Sequence, residues 1–266
     1  MIDLSKIDYS LLDRPEILMF LFHPRQEWDS SGTHGAGDML VPVEEGVAIG
    51  ARFFSAHEDA PTILFFHGNG EIVADYEDIG PLYSNMGINF LPVDYRGYGR
   101  SGGRPTITAM MRDAHVIFDY VRSWLKQKDY RGSLLVMGRS LGSASALELS
   151  AHYGDEIDAL IIESGFAYTG PLMRLLGVDM ASLGISENEG LRNIEKIQTF
   201  DKPTLIIHAQ HDHLIPFAEG QALYDASPAF NKRILMIPGA NHNDIFLRGM
   251  KEYMEAINAL AQKAEG

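Results

Sequence analysis

The sequence of 266 residues predicts an α/β fold: a mostly parallel eight-stranded sheet that begins with an antiparallel hairpin and carries helices on both faces. Short apolar runs alternate with longer stretches of helical pattern, and this alternation is typical of parallel strands joined by helical crossovers. The six runs lie at residues 62–66, 89–93, 134–137, 159–163, 203–208 and 232–237. The length suits one such domain, so we expect a single domain over residues 1–266.

The hairpin supplies the first two of the eight strands. Residues 39–43 and 47–54 flank the tripeptide EEG at 44–46, whose glycine suits a turn between antiparallel strands. Upstream of it, a helical segment is predicted at residues 14–22. The Gly- and Ser-rich residues 30–37 are predicted to form a loop rather than a domain linker.

Composition excludes several classes of function. The formal net charge of -14 argues against nucleic-acid or polyanionic partners, because phosphate binding needs clustered Lys and Arg. Absence of cysteine excludes disulfides, thiol nucleophiles and thiolate metal sites. The N-terminus lacks the basic start and apolar stretch of a secretory signal, and the apolar run at 17–22 is too short to span a bilayer. We therefore expect a cytoplasmic protein without stable membrane insertion; the oligomeric state cannot be read from the sequence.

A candidate nucleophile follows the third of the apolar runs. The pentapeptide GRSLG at residues 138–142 matches G-x-S-x-G and places Ser140 between a predicted strand and a predicted helix. A serine at such a sharp turn has its hydroxyl pushed outward, and the two glycines avoid a steric clash. The small residues that follow allow the helix to pack closely on the strand. Ser140 is thus predicted to be a catalytic nucleophile.

A serine hydroxyl needs a general base, and the base needs an orienting acid. His242 lies in a Gly-containing loop after the last predicted strand, and Asp212 follows the strand before it. The order Ser140, Asp212, His242 is the one expected with a nucleophile elbow, and all three follow strand carboxyl ends. Three alternatives remain open: Asp212 as a turn residue, His242 as a loop residue without a role, and Glu163 as the catalytic acid.

The negative oxygen of the transition state also needs hydrogen-bond donors. The segment HGNG at residues 67–70 follows an apolar run, so its backbone N–H groups can point toward a developing oxyanion. In elbow enzymes one such amide acts together with the amide after the nucleophile. We therefore predict that the backbone N–H groups of Asn69 and Leu141 form the oxyanion hole, with an uncertainty of one residue within 68–70.

Two other motifs are weak. Residues 97–102 match the dinucleotide fingerprint G-x-G-x-x-G, but no helix follows directly and the loop is interpreted as structural. A second group resembles a metal cluster but lacks the H-E-x-x-H spacing, and it consists of His208, His211, Asp212 and His213. The remaining histidines, including His115 and His152, follow no ligand pattern. No metal site is predicted.

Taken together, the motifs resemble the α/β-hydrolase superfamily, in its small-cap serine hydrolase branch. The matching parts are HGNG at 67–70, DYRGYGRS at 94–101, GRSLG at 138–142, Asp212 and His242. The resemblance implies a carboxylester or acyl-thioester hydrolase that uses no metal or organic cofactor and acts on a small-molecule acyl substrate. One departure is that Gly70 and Glu71 replace the Ala-Gly or Ala-Val often found after His-Gly-Asn in similar proteins.

The longest gap in the alternation, at residues 167–200, is predicted to be a small cap over the site. Its apolar residues are candidates for an acyl pocket or for the core, namely Phe166, Leu172, Met173, Leu175 and Leu176. An aminopeptidase-like activity is a second possibility, with Glu187 or Glu189 binding a substrate ammonium. A non-catalytic binding protein on the same fold is a third.

Overall fold

The computed structural model describes residues 3–28 and 37–264, and its centre is one eight-stranded sheet. The strands are β1 (Asp38–Glu44), β2 (Val47–Arg52), β3 (Thr62–Phe66), β4 (Asn89–Val93), β5 (Leu134–Arg139), β6 (Ala159–Glu163), β7 (Thr204–Ala209) and β8 (Lys232–Ile237). Their spatial order is β1-β2-β4-β3-β5-β6-β7-β8. The β1–β2 and β2–β4 pairs are antiparallel and the other five are parallel. The predicted sheet and its N-terminal hairpin are confirmed.

Eight α-helices surround the sheet within the described residues. They are α1 (Pro15–Leu21), α2 (Gly80–Asn85), α3 (Ile107–Gln127), α4 (Gly142–His152), α5 (Thr169–Leu175), α6 (Asn193–Ile197), α7 (Phe217–Ala226) and α8 (Ile245–Ala264). None of the helices in that part of the chain is both long enough and apolar enough to cross a membrane.

Two hydrophobic cores lie on the two faces of the sheet, because the central strands are buried on both sides. In β5, Leu134 and Val136 face one core while Leu135 and Met137 face the other. The first core contains the apolar faces of α1, α3, α4 and α7, and the second contains those of α2 and α8. This arrangement explains why the strands are continuous apolar runs rather than alternating ones.

The carboxyl ends of the parallel strands meet at one edge of the sheet. In-register pairing aligns Phe66 with Gly138, Gly138 with Ile162, and Ile162 with Ile206. The loops that follow β3, β5, β7 and β8 therefore leave the sheet side by side. These are the loops that carry the predicted site residues.

Predicted boundaries differ from the observed ones by one or two residues at four strands, and β1 is one residue longer at each end than predicted. Strand β5 continues through Arg139, which pairs with Glu163, and β7 lies one residue later than predicted. Strand β2 ends at Arg52, after which Phe54 forms an isolated bridge with Phe90. The predicted loop at residues 30–37 lies, apart from Gly37, outside the described residues. The segment between β6 and β7 contains α5, α6 and two 3-10 turns.

Candidate active site

Ser140 lies at a sharp turn between β5 and α4. Its backbone is in the left-handed region, with φ of 51°, which is unfavourable for a residue with a Cβ atom. The turn is tight because α4 approaches the sheet closely: a Cβ atom on Gly142 would lie 2.1 Å from the carbonyl oxygen of Phe66, and one on Gly138 would lie 2.3 Å from that of Gly142. The glycines of the motif are therefore required by sterics.

The structure brings Ser140, His242 and Asp212 together. The Oγ atom of Ser140 is 3.0 Å from Nε2 of His242, and Nδ1 of His242 is 2.7 Å from Oδ2 of Asp212. His242 is only 4% exposed and Asp212 only 7%. Because Nδ1 donates to the carboxylate, Nε2 is left as an acceptor for the serine proton. The arrangement can deprotonate the Ser140 hydroxyl.

Asp212 is also a turn residue. Its Oδ1 atom accepts hydrogen bonds from the backbone N–H groups of Leu214 (3.0 Å) and Ile215 (2.8 Å). Burial alone would raise the pKa of Asp212, but the hydrogen bond and charge of His242 and the Ile215 amide lower that pKa below its ordinary value. The turn and the histidine contact thus use different oxygens of one ionised carboxylate.

The backbone amides of the loop after β3 are not equivalent. The Gly68 N–H donates to Oε2 of Glu71 (2.7 Å), and the Gly70 carbonyl accepts from Nε of Arg25 (3.2 Å). The N–H groups of Asn69 and Leu141 have no acceptor among residues 3–28 and 37–264. Both residues line the cavity that contains Ser140. These two amides are available to a ligand, whereas that of Gly68 is occupied.

The side chain of Asn69 fixes this loop to the end of α1. Its Oδ1 atom accepts from the backbone N–H of His23 (2.9 Å) and the hydroxyl of Tyr98 (2.7 Å), and its Nδ2 atom is 2.8 Å from Nδ1 of His23. Behind it, the buried His67 is 3.3 Å from Asp94. The loop that presents the Asn69 amide is therefore held by contacts with two other segments, the residues after α1 and those after β4.

A buried ionic network lies under the site, with Arg139 at its centre. The guanidinium binds Glu71, donates from Nε to Oε1 of Glu163 (3.1 Å), and donates from Nη2 to the carbonyl oxygen of His242 (2.8 Å). Tyr253 donates to the other oxygen of Glu163 (2.6 Å). Arg139 thus links the loop that carries Glu71, the end of β6 and the loop that carries His242.

Glu163 makes no hydrogen bond to His242 in the described part of the chain; its partners are Arg139 and Tyr253. Alternation along β6 places its side chain on the α8 face of the sheet, against Tyr253 and Arg139. Burial raises the pKa of Glu163 even though Arg139 opposes this effect. The carboxylate that contacts the imidazole is that of Asp212, so this geometry does not favour the alternative in which Glu163 is the acid.

A cavity of about 350 Å³ opens over Ser140. Its polar wall is formed by the loops described above, and its apolar wall comes from α1, α5 and the loop after β7. The apolar residues are Leu21, Leu141, Leu172, Leu175, Leu176, Leu214 and Ile215. A smaller apolar cavity of about 130 Å³ shares four of these residues and extends from it beside Phe166 and Pro171. Met173, by contrast, is buried in the core.

Comparison with known proteins gives the family. The α/β hydrolase domain-containing protein 17B of Homo sapiens is 31% identical over 227 residues, which cover 82% of this chain and 72% of that protein. The chain belongs to the α/β-hydrolase superfamily. A family model described as serine aminopeptidase, S33, matches residues 57–185 of this α/β hydrolase.

Solved structures show the same fold. Est1E from Butyrivibrio proteoclasticus superposes with a TM-score of 0.69 at 19% identity, over 86% of this chain and 99% of that one. A soluble variant of monoglyceride lipase from Saccharomyces cerevisiae superposes with a TM-score of 0.66 at 18% identity, over 90% and 98%. The predicted α/β-hydrolase fold is therefore confirmed.

Three site features of this α/β hydrolase escaped the sequence analysis: the Arg139 network, His23, and Tyr98. The unusual Glu71 was a signal for the Arg139 network, because an acidic residue beside a close-packed turn needs a cationic partner.

The residues at 208–213 that resemble a metal cluster in the sequence do not point to one place. His211 and His213 are exposed, while His208 is buried and bound to the carbonyl of Ile215 (2.8 Å).

Replacing Arg139 with methionine should destabilise the protein strongly. The Arg139→Met change keeps the side-chain volume similar but leaves Glu71 and Glu163 without their cation, and we expect a loss of about 3–5 kcal/mol in the free energy of unfolding. Urea denaturation followed by circular dichroism measures it. The matched control is Arg131→Met, because Arg131 pairs with Asp59 and Asp129 in water; its effect should be small. Equal effects of the two changes would contradict the role given to Arg139.

Proposed function

We propose that this α/β hydrolase is a serine hydrolase that cleaves a carboxylic ester or an acyl thioester through an acyl-enzyme intermediate. The observation that carries the proposal is the pair of contacts made by His242, 3.0 Å to Ser140 Oγ and 2.7 Å to Asp212 Oδ2. Nucleophile, base and orienting acid at these separations form the arrangement that acyl transfer needs.

In the first half-reaction Ser140 Oγ attacks the carbonyl carbon while Nε2 of His242 takes the hydroxyl proton. The bond to the leaving alcohol or thiol then breaks, and His242 returns the proton to it. In the second half-reaction a water molecule loses a proton to His242 and attacks the acyl-enzyme, and Ser140 leaves with that proton. Asp212 stays ionised and stabilises the imidazolium in both halves, which agrees with its lowered pKa.

The N–H groups of Asn69 and Leu141 are proposed to bind the oxyanion. They line the cavity of Ser140 and have no acceptor elsewhere in the described chain, whereas the Gly68 N–H is bound to Glu71. Loss of one such donor typically lowers the rate about 10²- to 10³-fold. Since the donor is a backbone group, its position depends on Asn69's own side-chain contacts with His23 and Tyr98.

Residues 167–200 are proposed to act as a small cap. Helix α5 contributes Leu172 and Leu175 to both apolar cavities, so the segment supplies one wall of the site. The combined lining is apolar on the side of the cap and polar at the nucleophile. This favours a substrate with an apolar acyl chain, whose chain lies against the leucines while its carbonyl meets Ser140.

The two carboxylates suggested for the aminopeptidase alternative are used elsewhere. Glu187 accepts hydrogen bonds from the backbone of Thr169 (2.5 Å) and Gly170 (2.7 Å) at the start of α5. Glu189 binds the backbone and side chain of Ser186 (2.9 and 2.7 Å). Neither carboxylate lines the cavity of Ser140. Both therefore organise the cap segment, and the ester or thioester hypothesis is preferred.

A fluorophosphonate probe should label the protein at Ser140 only. Labelling should vanish in Ser140→Ala and persist in Ser145→Ala, a nearby buried serine on α4 whose hydroxyl has no partner in the described chain. Intact-mass spectrometry measures the adduct. Labelling that survived in Ser140→Ala, or that was absent from the native protein, would refute the acyl-enzyme mechanism and favour a non-catalytic binding protein.

The acid is identified by comparing Asp212→Asn with Glu163→Gln. Asn cannot hold the imidazole in the required tautomer, so Asp212→Asn should lower kcat/KM by about 10⁴-fold. Glu163→Gln should lower kcat/KM far less, because Glu163 touches Arg139 and Tyr253 but not His242. Both are measured with p-nitrophenyl acetate on protein shown by circular dichroism to be folded. The reverse ranking would make Glu163 the acid.

The apolar wall should determine the acyl length that is accepted. Leu175→Trp adds bulk at a residue that lines both cavities and is 49% exposed, so it should fold normally. We expect the ratio of kcat/KM for long over short acyl chains to fall about 10-fold or more. A graded panel of p-nitrophenyl esters and acyl thioesters measures it, with Leu247→Trp, a 78% exposed position on α8, as control. An unchanged ratio would exclude this acyl pocket.

A further inference from the structure

A second cluster of titratable side chains lies between α3 and α4, apart from the candidate active site. His115 comes from α3, and Glu148 and His152 come from successive turns of α4. Helix α4 begins beside Ser140, and His152 at its other end is about 15 Å further along the helix axis. His115 and Glu148 are buried, whereas His152 is exposed at its outer edge. The mechanism proposed above uses none of the three.

The donor atoms of this cluster are spaced like the ligands of one metal ion. Oε1 of Glu148 is 3.2 Å from Nε2 of His115 and 3.6 Å from Nδ1 of His152, and all three residues offer atoms within 4.8 Å of one another. Metal–ligand bonds of 2.0–2.2 Å at tetrahedral angles separate neighbouring ligands by about 3.3 Å. A single ion can therefore reach all three atoms with only small side-chain adjustments.

Each buried donor also has an outer partner. Nδ1 of His115 is 3.2 Å from the hydroxyl oxygen of Tyr153, which can accept a hydrogen bond from Nδ1–H once Nε2 binds a metal. Oε2 of Glu148 accepts from the hydroxyl of Tyr9 (2.8 Å) and forms an ion pair with Lys196 (2.8 Å). Metal-binding imidazoles and carboxylates are oriented by outer partners of this kind.

The access route suits a cation, and the Oε1 oxygen of Glu148 points to the site although Lys196 neutralises the carboxylate from its other side. Lys196 holds Oε2, so Oε1 is the oxygen that faces the two imidazoles. Glu148 and His152 line an open cavity of about 630 Å³, which gives an ion and its water ligand a path from solvent. Binding would replace the contact between His115 and Glu148 and a hydrogen bond from His152 to the Glu148 carbonyl (2.9 Å).

We propose that His115, Glu148 and His152 form a binding site for one Zn²⁺ ion, with a water molecule from the cavity as the fourth ligand. Two imidazoles and one carboxylate are a ligand set that suits Zn²⁺. The ion joins α3 to the end of α4 and takes no part in acyl transfer. The ion binds only the folded protein and stabilises it.

The test uses the whole chain without a tag, from which metal has been removed with a chelator. This protein is titrated with Zn²⁺, followed by calorimetry, and separately with Co²⁺, followed by visible absorption. We expect one Zn²⁺ per chain, the d–d bands of four-coordinate Co²⁺, and a melting temperature that rises by about 4 °C or more at a hundredfold excess over Kd. His152→Ala removes the exposed ligand, and Tyr153→Phe removes the outer partner of His115. Each should weaken Zn²⁺ binding at least about tenfold.

The control is His57→Ala, which removes an exposed histidine elsewhere on the surface and should bind Zn²⁺ like the native protein. Fluorophosphonate labelling of Ser140 serves as an independent check that every variant is folded. Absence of Zn²⁺ binding, or equal affinity in native protein, His152→Ala and His57→Ala, would overturn the proposal. Either result leaves the serine hydrolase hypothesis untouched, because labelling reports on that separately.

Discussion

The guanidinium of Arg139 lies between the carboxylates of Glu71 and Glu163, with its side chain only 11% exposed, and the geometry of the candidate site depends on this contact. A buried ion pair of this kind contributes little net stability, because desolvation of the charges offsets their attraction. The ion pair instead fixes the positions of the segments that carry its members. The same guanidinium that binds Glu71 and Glu163 also donates to the carbonyl of His242. One cation therefore holds both the loop after β3 and the loop that carries His242.

The two carboxylates respond to pH with opposite signs. Burial would raise the pKa of Glu71, but Arg139 and the hydrogen bonds of Tyr76 and Gly68 lower it overall. Its stabilising contribution is present above its unfolded-state pKa and is lost as the pH falls through the lowered value. The pKa of Glu163 is raised, mainly by burial, so its contribution is lost as the pH rises. Glu71 is therefore the lasting anionic partner of Arg139 near neutral pH, and Glu163 the one that is protonated more readily.

The sequence predicted the sheet well because its strands are buried on both faces. Runs such as 62–66 and 159–163 contain four consecutive apolar residues bounded by polar ones, so the predicted bounds of β3 and β6 coincide with the observed ones. The order of Ser140, Asp212 and His242 followed from local motifs at strand ends. The Arg139 contacts could not be predicted in this way, since Glu71 and His242 lie 68 and 103 residues away along the chain. His23 is positioned by Asn69 across a comparable separation, and no local pattern encodes such pairs.

In the loop after β3, tertiary contacts narrow the choice of open backbone amides that the sequence motif leaves. Sequence alone allowed any amide of residues 68–70 to be the donor. Glu71 reaches back to the Gly68 N–H, so that amide is occupied by a side chain of the protein itself. The Asn69 N–H has no acceptor in the described part of the chain and lies at the cavity of Ser140, where water or a ligand oxygen can bind it. Thus the residue that departs from the familiar pattern, Glu71, binds Arg139 and also removes the Gly68 amide from the set of open donors.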